Sequence, residues 1–187
     1  MQMNTPDWSA AQKRVEQLDD YIAAKQRAQF GFEELTEQEK AARVRRHFNS
    51  VAYKYDMMNT VLSLGIHYLW KKIAITRLAL QPGESVLDVC GGTGDLSIMA
   101  KKQVGPAGRV VLYDINWEMI NAGRIKPTNA RTRDAIFYVQ GDAEHITFPD
   151  GTFDVVMVGF AVRNITHMKR AFREMHRVLK PGGRFLC

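Results

Sequence analysis

Beyond Pro82-Gly83, short apolar runs alternate along the chain with stretches whose apolar residues recur every three or four positions. Runs of the first kind read as buried strands, and stretches of the second kind as amphipathic helices. The pattern predicts strands over Ser85 to Cys90, Arg109 to Asp114, Ala135 to Gln140 and Phe153 to Phe160, with a fifth beginning at Gly183 and running to Cys187. Helices are predicted over Gly94 to Val104, Asn116 to Lys126 and His167 to Leu179. Such alternation marks an α/β protein with a mainly parallel sheet, and right-handed crossovers make that sheet doubly wound and Rossmann-like. The last helix spaces Met168, Ala171, Phe172, Met175, Val178 and Leu179 onto one face, which should dock on the sheet while Lys169, Arg170, Arg173 and Arg177 face water.

Upstream the character changes. Residues 1–46 are polar and charge-mixed and read as an N-terminal helical arm, with helices over Ala10 to Arg27 and Thr36 to Arg46, the second opened by a Thr36-x-x-Glu39 capping box. Residues 47–82 read as a helical, partly apolar segment from Phe48 to Leu80, stopped by Pro82-Gly83, and residues 83–187 as the α/β core. An open sheet that stops at its fifth strand leaves that strand as an uncovered edge, which proteins normally avoid. The expectation is therefore a piece of a longer polypeptide, whose remaining C-terminal strands would complete the sheet.

Composition narrows the class without naming a function. At 187 residues, 45% hydrophobic and 25% charged, the chain matches one ordinary globular domain with an appendage and excludes a disordered or fibrous protein. Its net charge of +6 is concentrated between Arg163 and Arg184, where seven basic residues face only Glu174. A basic helix can serve an anionic membrane, a nucleic acid or solubility alone, and the absence of interleaved exposed aromatics disfavours nucleic acid. Cys90 and Cys187 provide neither a disulfide framework nor a metal-binding CxxC, so no metal is expected and a reducing compartment is. No run approaches the ~20 apolar residues of a membrane span. Asp7, Glu16, Asp19 and Asp20 suit neither a signal nor a transit peptide, so a cytoplasmic location is expected.

The chemistry is concentrated in VLDVCGGTGDLS, Val86 to Ser97: an apolar strand, an acid at Asp88, a turn through Gly91, Gly92 and Gly94, and a helix start. Glycines let the backbone approach a ligand closely, and the amide groups with the helix N-terminus favour a carboxylate or phosphate. The motif alone suits either a dinucleotide or the amino-acid end of S-adenosylmethionine. Reading on from Gly92, Ser97 stands where GxGxxG needs its third glycine, which disfavours a pyrophosphate binder. Twenty residues past Gly94 the second strand ends at Asp114, placed to accept ribose hydroxyls, and the third is followed by Gly141-Asp142-Ala143, placed to meet an adenine. Asp114 could instead cap the helix after it, and Asp142 a turn. Three consecutive strand ends offering nucleoside contacts is where open α/β sheets bind ligands.

At this level of detail the sequence resembles the class I S-adenosylmethionine-dependent methyltransferases, and more narrowly the ubiquinone/menaquinone biosynthesis C-methyltransferase family. The resemblance runs from about Phe30 to Cys187 and rests on FGFEELTEQEK, the Tyr55 to Trp70 string YDMMNTVLSLGIHYLW, GGTGD, DIN at Asp114, GDAE at Gly141, FAVRNITH from Phe160 and RVLKPGGRFL from Arg177. It implies the class I methyltransferase sheet and S-adenosyl-L-methionine as cofactor, with Gly92, Thr93, Asp114, Asp142, Ala143 and Gly159 falling at cofactor-contacting positions. Cys90 and Gly159 depart from the small residue and the serine or alanine usual there, which puts a side-chain hydroxyl contact at 159 in doubt.

The implied reaction moves a sulfonium methyl to a ring carbon of a polyprenylated benzoquinol or naphthoquinol. Carbon is a poor nucleophile, so the site needs a base for a neighbouring phenol, or a cation that lowers its pKa, plus alignment of carbon, methyl and sulfur. The resemblance makes Arg163 the cation and His67 or Asp56 the base, with Tyr55, Asn59 and Asn164 on the substrate. A polyprenyl tail gives a purpose to apolar Val61-Leu62-Ser63-Leu64 as a peripheral membrane contact at the inner face. A homo-oligomer or a quinone-biosynthesis complex is left open. So are two other functions: a methyltransferase for another small molecule, and a non-catalytic, cofactor-binding subunit of such a complex.

Overall fold

The computed structural model describes residues 27–30, 33–36, 39, 42–44, 46, 48, 50, 52, 55–126, 132 and 135–187. The chain divides into two compact units, residues 1–44 and 45–187. In the first, β1 (Arg27–Phe30) and β2 (Glu33–Thr36) pair antiparallel, with Arg27 opposite Thr36 and Phe30 opposite Glu33. This corrects the expected helix at Thr36. The capping-box residue closes a strand, and helical backbone is found from Glu39. A four-residue motif is weaker than ladder pairing, and tertiary context routinely overrides it. Of the helix expected over Ala10 to Arg27, all but Arg27 lies outside the described residues.

In the second unit the stretch expected as one helical segment is two helices, α1 (Tyr55–Leu62) and α2 (Ile66–Leu78). They are separated at Leu64 and Gly65, both left-handed, with φ of 49° and 79°. Gly65 adopts that conformation without penalty, and the amides of Ser63 and Gly65 close the turn on the carbonyls of Asn59 and Thr60.

The strands β3 (Ser85–Val89), β4 (Arg109–Asp114), β5 (Phe137–Gln140), β6 (Phe153–Val158) and β7 (Leu179–Leu186) form one parallel sheet in the order β5-β4-β3-β6-β7. The helices α3 (Asp95–Val104), α4 (Trp117–Arg124) and α5 (Met168–Val178) supply crossovers. Strand alternation sorts the core. Val86, Val110, Leu112, Val155 and Met157 face α2 and α3, while Leu87, Val89, Val111, Tyr113, Val156 and Val158 face Ala171, Met175 and Val178 of α5. The doubly wound α/β sheet expected from the sequence is the observed one.

The last strand begins earlier than Gly183. Chain Leu179 to Leu186 already pairs with β6, with a register shift between Phe153 and Val155 that takes up the Pro181 segment. Two expectations for α5 also change. Met168 is half-exposed rather than docked, and Arg177 does not simply face water. Its guanidinium donates to Glu174, to Asp150 at 2.6 Å and to the carbonyls of Ile146 and Phe148. Lys180 likewise pairs with Asp154 and Arg184 with Glu84, so folding neutralises part of the basic stretch, while Arg170 contacts His145.

Candidate functional site

The turn after β3 is shaped by backbone that few residues adopt. Cys90, Gly92 and Gly94 all have positive φ, 55°, 55° and 81°, and Gly94 leads into α3. Close packing fixes the turn in place. A β-carbon on Gly91 would lie 2.8 Å from Leu112 Cγ, and one on Gly94 2.9 Å from Leu112 Cδ1. Gly92 N–H donates to Asp114 Oδ2 at 2.8 Å, and Asp114 Oδ1 accepts from Asn116 N–H at 2.8 Å. Asn116, not Asp114, caps α4, its side chain accepting from Met119 N–H. Burial raises the pKa of Asp114 and the two amides oppose that rise.

One strand further out, Gln140 stands opposite Asp114 in the ladder and Gly141 N–H donates to the Asp114 carbonyl at 2.9 Å. Asp142 therefore follows immediately, on the same edge of the sheet as Asp114. Its Oδ1 accepts from Glu144 N–H, making the local turn that was the plain alternative to a ligand contact. Ala143 is buried against Tyr113 and Ile146. A β-carbon on Gly141 would fall 2.1 Å from the Tyr113 hydroxyl, so glycine is required for this loop to lie on the strand. Gly159 closes the edge after β6, where a β-carbon would meet only Leu96 Cδ1, the end of a flexible side chain.

These groups share one electrostatic neighbourhood. The Cys90 thiol is pushed up by burial and further by Asp114, Asp88 and Asp142, so the cysteine stays a neutral thiol. Asp88 is fully buried, accepts from Ser97 Oγ at 2.6 Å, and is pushed up to about 7 by that burial. Ser97, which fills the place of the third glycine, is thus committed to Asp88. A sheet edge carrying Asp114 and Asp142 and lacking that glycine suits a cationic nucleoside better than a pyrophosphate. The donor set fits a ligand with ribose hydroxyls and a positive centre: amides of the turn on one side, acceptors at Asp114 and Asp142 on the other.

The α1–α2 segment reaches the same edge. Thr93 is buried, and its Oγ1 donates to Asp56 Oδ1 at 2.8 Å. Asp56 is also ion-paired with Lys126, which reaches Asp95 Oδ1 at 3.2 Å, and Lys71 binds Asp95 Oδ2 at 2.7 Å. Burial alone would raise the Asp95 pKa, but its two lysines outweigh that and hold it below the usual range. Sequence reasoning missed this four-charge latch, although Asp95 ends the GGTGD motif and Lys71 follows the Tyr55 to Trp70 string. It also missed Gly123, on which a β-carbon would strike the Thr93 carbonyl oxygen at 2.5 Å.

The remaining expected residues are placed as follows. Tyr55 opens α1 and packs with Phe48 against Ala52, Met119 and Ala122. Asn59 lies in α1, its carbonyl accepting from Ser63. His67 is buried on α2, with Nδ1 2.7 Å from Ser63 Oγ. Trp70, one turn on, has its ring centre 6.4 Å from that of Phe160, which follows Gly159. Arg163 and Asn164 sit in a 3-10 turn just beyond, Arg163 exposed and without an ion pair among the described residues. The structure thus brings α1, α2, the glycine turn and the ends of β4, β5 and β6 to one edge.

Comparison with known proteins agrees with this geometry. The model of the ubiE/COQ5 methyltransferase family matches residues 36–187. The chain belongs to that family. It is 48% identical over 84% of its length to the ubiquinone/menaquinone biosynthesis C-methyltransferase UbiE of Methylococcus capsulatus, covering 63% of that protein. It is 50% identical, again over 84% of its length, to the Pseudomonas fluorescens protein of the same name, covering 61% of it. The chain thus spans about three-fifths of the length of these curated relatives. Among solved structures, a SAM-dependent methyltransferase from Aquifex aeolicus is 27% identical with a TM-score of 0.54, over 59% of this chain and 58% of that one. The [4+2]-cyclase SpnF superposes with a TM-score of 0.65 over 78% of this chain and 59% of its own at only 19% identity, which establishes shared fold alone.

The latch carries a prediction. Lys126→Met leaves Asp56 and Asp95 without their shared partner in a site where the side chains are 18–24% exposed. Loss of a partly buried pair is expected to cost about 1–3 kcal/mol, read as a lower urea midpoint. Adding Asp56→Asn should recover part of that loss, and purely additive effects would mean the two do not couple.

Proposed function

We propose that the chain carries the cofactor-binding core and part of the substrate face of an S-adenosyl-L-methionine-dependent C-methyltransferase, whose substrate is a polyprenylated benzoquinol or naphthoquinol. The observation that carries this reading is the joining of Gly92, Asp114 and Gly141-Asp142 at one sheet edge through the 2.8 Å and 2.9 Å hydrogen bonds. The names of relatives near 50% identity supply the substrate class. When bound, the cofactor supplies an electrophilic methyl group on a sulfonium.

The chain's own residues then have definable tasks. The turn amides and Thr93 hold the amino-acid end, Asp114 takes the ribose hydroxyls, and Asp142 with Ala143 meets the adenine. Arg163, an exposed guanidinium without an ion pair among the described residues, is assigned to stabilise a quinolate oxygen. Of the two candidate bases His67 is favoured, because the Asp56 carboxylate is already engaged by Thr93 and Lys126. Tyr55, Asn59 and Asn164 are assigned to the substrate side.

Calorimetric titration with S-adenosylmethionine and with NAD tests the cofactor assignment, and tight NAD binding without the methyl donor would end it. Transfer of label from the cofactor methyl to lipid-extractable quinol tests the reaction and separates an enzyme from a non-catalytic subunit.

Membrane contact follows from the tail of such a substrate. Val61, Leu62 and Leu64 are 67%, 77% and 88% exposed at the α1–α2 corner, whereas no helix among the described residues is long and apolar enough to cross a membrane. Inserting a leucine into the acyl boundary is worth roughly 1.5–3 kcal/mol. Leu62→Glu with Leu64→Glu should therefore abolish flotation with anionic vesicles at low salt. Equal flotation of this variant and the unaltered chain would remove the corner from the contact.

A further inference from the structure

Ser63 lies in the turn between α1 and α2 and has one hydroxyl proton. It donates that proton to the Asn59 carbonyl at 2.6 Å. The lone pairs of the same oxygen face His67: the backbone amide is 3.5 Å away and ring Nδ1 2.7 Å away. With its proton already given, Ser63 Oγ can only accept in the contact with the ring, so Nδ1 is the donor. In a neutral imidazole the lone pair then resides on Nε2.

That atom is buried and has no hydrogen-bond partner among the described residues, on a side chain that is 6% exposed. Burial lowers the His67 pKa and Lys71 adds to the fall, while Asp95 and Asp56 oppose it, so the ring is neutral at physiological pH. A buried acceptor without a donor costs about 1–3 kcal/mol, and native proteins retain few of them. Its position is informative. Lys71, one helical turn further along α2, binds Asp95 at the start of α3, and Trp70 meets Phe160 at the end of β6. His67 therefore stands on the face of α2 that closes on the ends of β3 and β6.

We propose that Ser63 is a positioning residue that locks His67 in its Nδ1–H tautomer and thereby presents Nε2 as the acceptor for a phenolic hydroxyl of a dihydroxylated aromatic ring. The catalytic half of this inference rests on the proposed reading of His67 as base. The O–H bond breaks, its proton joins Nε2, and its electron pair is delocalised onto the ring carbon that takes the methyl. A bound methyl donor would supply the methyl to that carbon and keep the sulfur's bonding pair as a thioether, and the ring C–H proton would then be lost to water. The resulting oxyanion retakes the proton from the imidazolium, so one proton is released per methyl transferred. Throughout, Nδ1–H keeps donating to Ser63, so the ring need not turn.

Ring nitrogen–proton correlation spectra of the 15N-histidine-labelled chain at neutral pH test the tautomer without requiring activity. His67 should show a protonated Nδ1 and a pyridine-like Nε2. Ser63→Ala should mix the tautomers and slow single-turnover methyl transfer about 10-fold or more, with affinity for S-adenosylmethionine unchanged. Ser63→Thr, which keeps the hydroxyl, should restore both and shows that an Ala defect is not loss of fold. A protonated Nε2 in the unaltered chain, or an unchanged tautomer in Ser63→Ala, overturns the role of Ser63. If instead Ser63 controls the tautomer as stated but His67→Gln transfers methyl at the unaltered rate, the tautomer assignment stands and the reading of His67 as base fails.

Discussion

Gly123→Ala is expected to weaken S-adenosylmethionine binding at least 10-fold and to destabilise the fold by about 1–2 kcal/mol, from a residue on α4 packed against the glycine turn. Two effects oppose each other. Alanine in place of glycine inside a helix gains about 1 kcal/mol of propensity. The new β-carbon, however, would lie 2.5 Å from the Thr93 carbonyl oxygen, 2.8 Å from its carbonyl carbon and 3.0 Å from its Cα. All three are backbone atoms, so no side-chain rotation relieves the contact, and overpacking of this kind costs about 1–3 kcal/mol. The clash wins. The atoms that must yield belong to the turn between left-handed Gly92 and Gly94, whose amides the proposed function assigns to the amino-acid end of the cofactor. A tenfold affinity loss corresponds to ~1.4 kcal/mol, within what such a displacement removes. Calorimetric titration and urea unfolding read the two effects separately. Raised stability with unchanged affinity would show that α4 slides outward freely and that its packing does not shape the turn.

That residue illustrates what the sequence reveals and what it hides. The core strands were legible because Val86-Leu87, Val110 to Leu112 and Val155 to Val158 are continuous apolar runs, as strands covered on both faces must be. The glycine turn and the acids at Asp114 and Asp142 were legible because their spacing follows from strand and helix length. Gly123 carried a local signal, a glycine inside a helical pattern, but its cause lies thirty residues upstream at Thr93. The Lys71, Asp95, Lys126 and Asp56 latch joins four elements, and charge pairing at that range leaves no periodic trace. For the same reason the basic stretch from Arg163 to Arg184 read as one charged face. Arg184 meets Glu84 and Arg177 meets Asp150 only once the sheet has formed. The break at Ser63 to Gly65 was written in Gly65 but masked by apolar residues continuing on both sides, and with it went the Ser63–His67 contact.

Asp88 gives the second large effect, and its sign follows from burial. Its carboxyl is pushed from the ordinary 3.8 up to about 7 by desolvation, with the Ser97 hydroxyl opposing and Asp114 reinforcing the rise. An acid whose folded pKa is raised binds its proton more tightly in the folded state, so its contribution to stability is intact below the unfolded value. That contribution is lost as pH climbs from about 4 towards 7, then levels off. At 1.36 kcal/mol per unit the full loss is at most roughly 4 kcal/mol. Asp88→Asn keeps a group that Ser97 can bond and cannot ionise. The unfolding free energy of the variant minus that of the unaltered chain should therefore grow with pH across this window and stay constant above it. Carboxylates not coupled to Asp88, among them Asp95 and Asp154 whose pKa values are lowered, titrate alike in both chains and cancel in the difference. The consequence for the site is direct. Ionising Asp88 places a second negative charge beside Asp114 under the turn, so the turn should be firmest while Asp88 is protonated. A difference that is flat from pH 4 to 8 would mean that Ser97 and the turn amides already solvate the Asp88 carboxylate as well as water does. Asp88 itself would then carry its charge across that range.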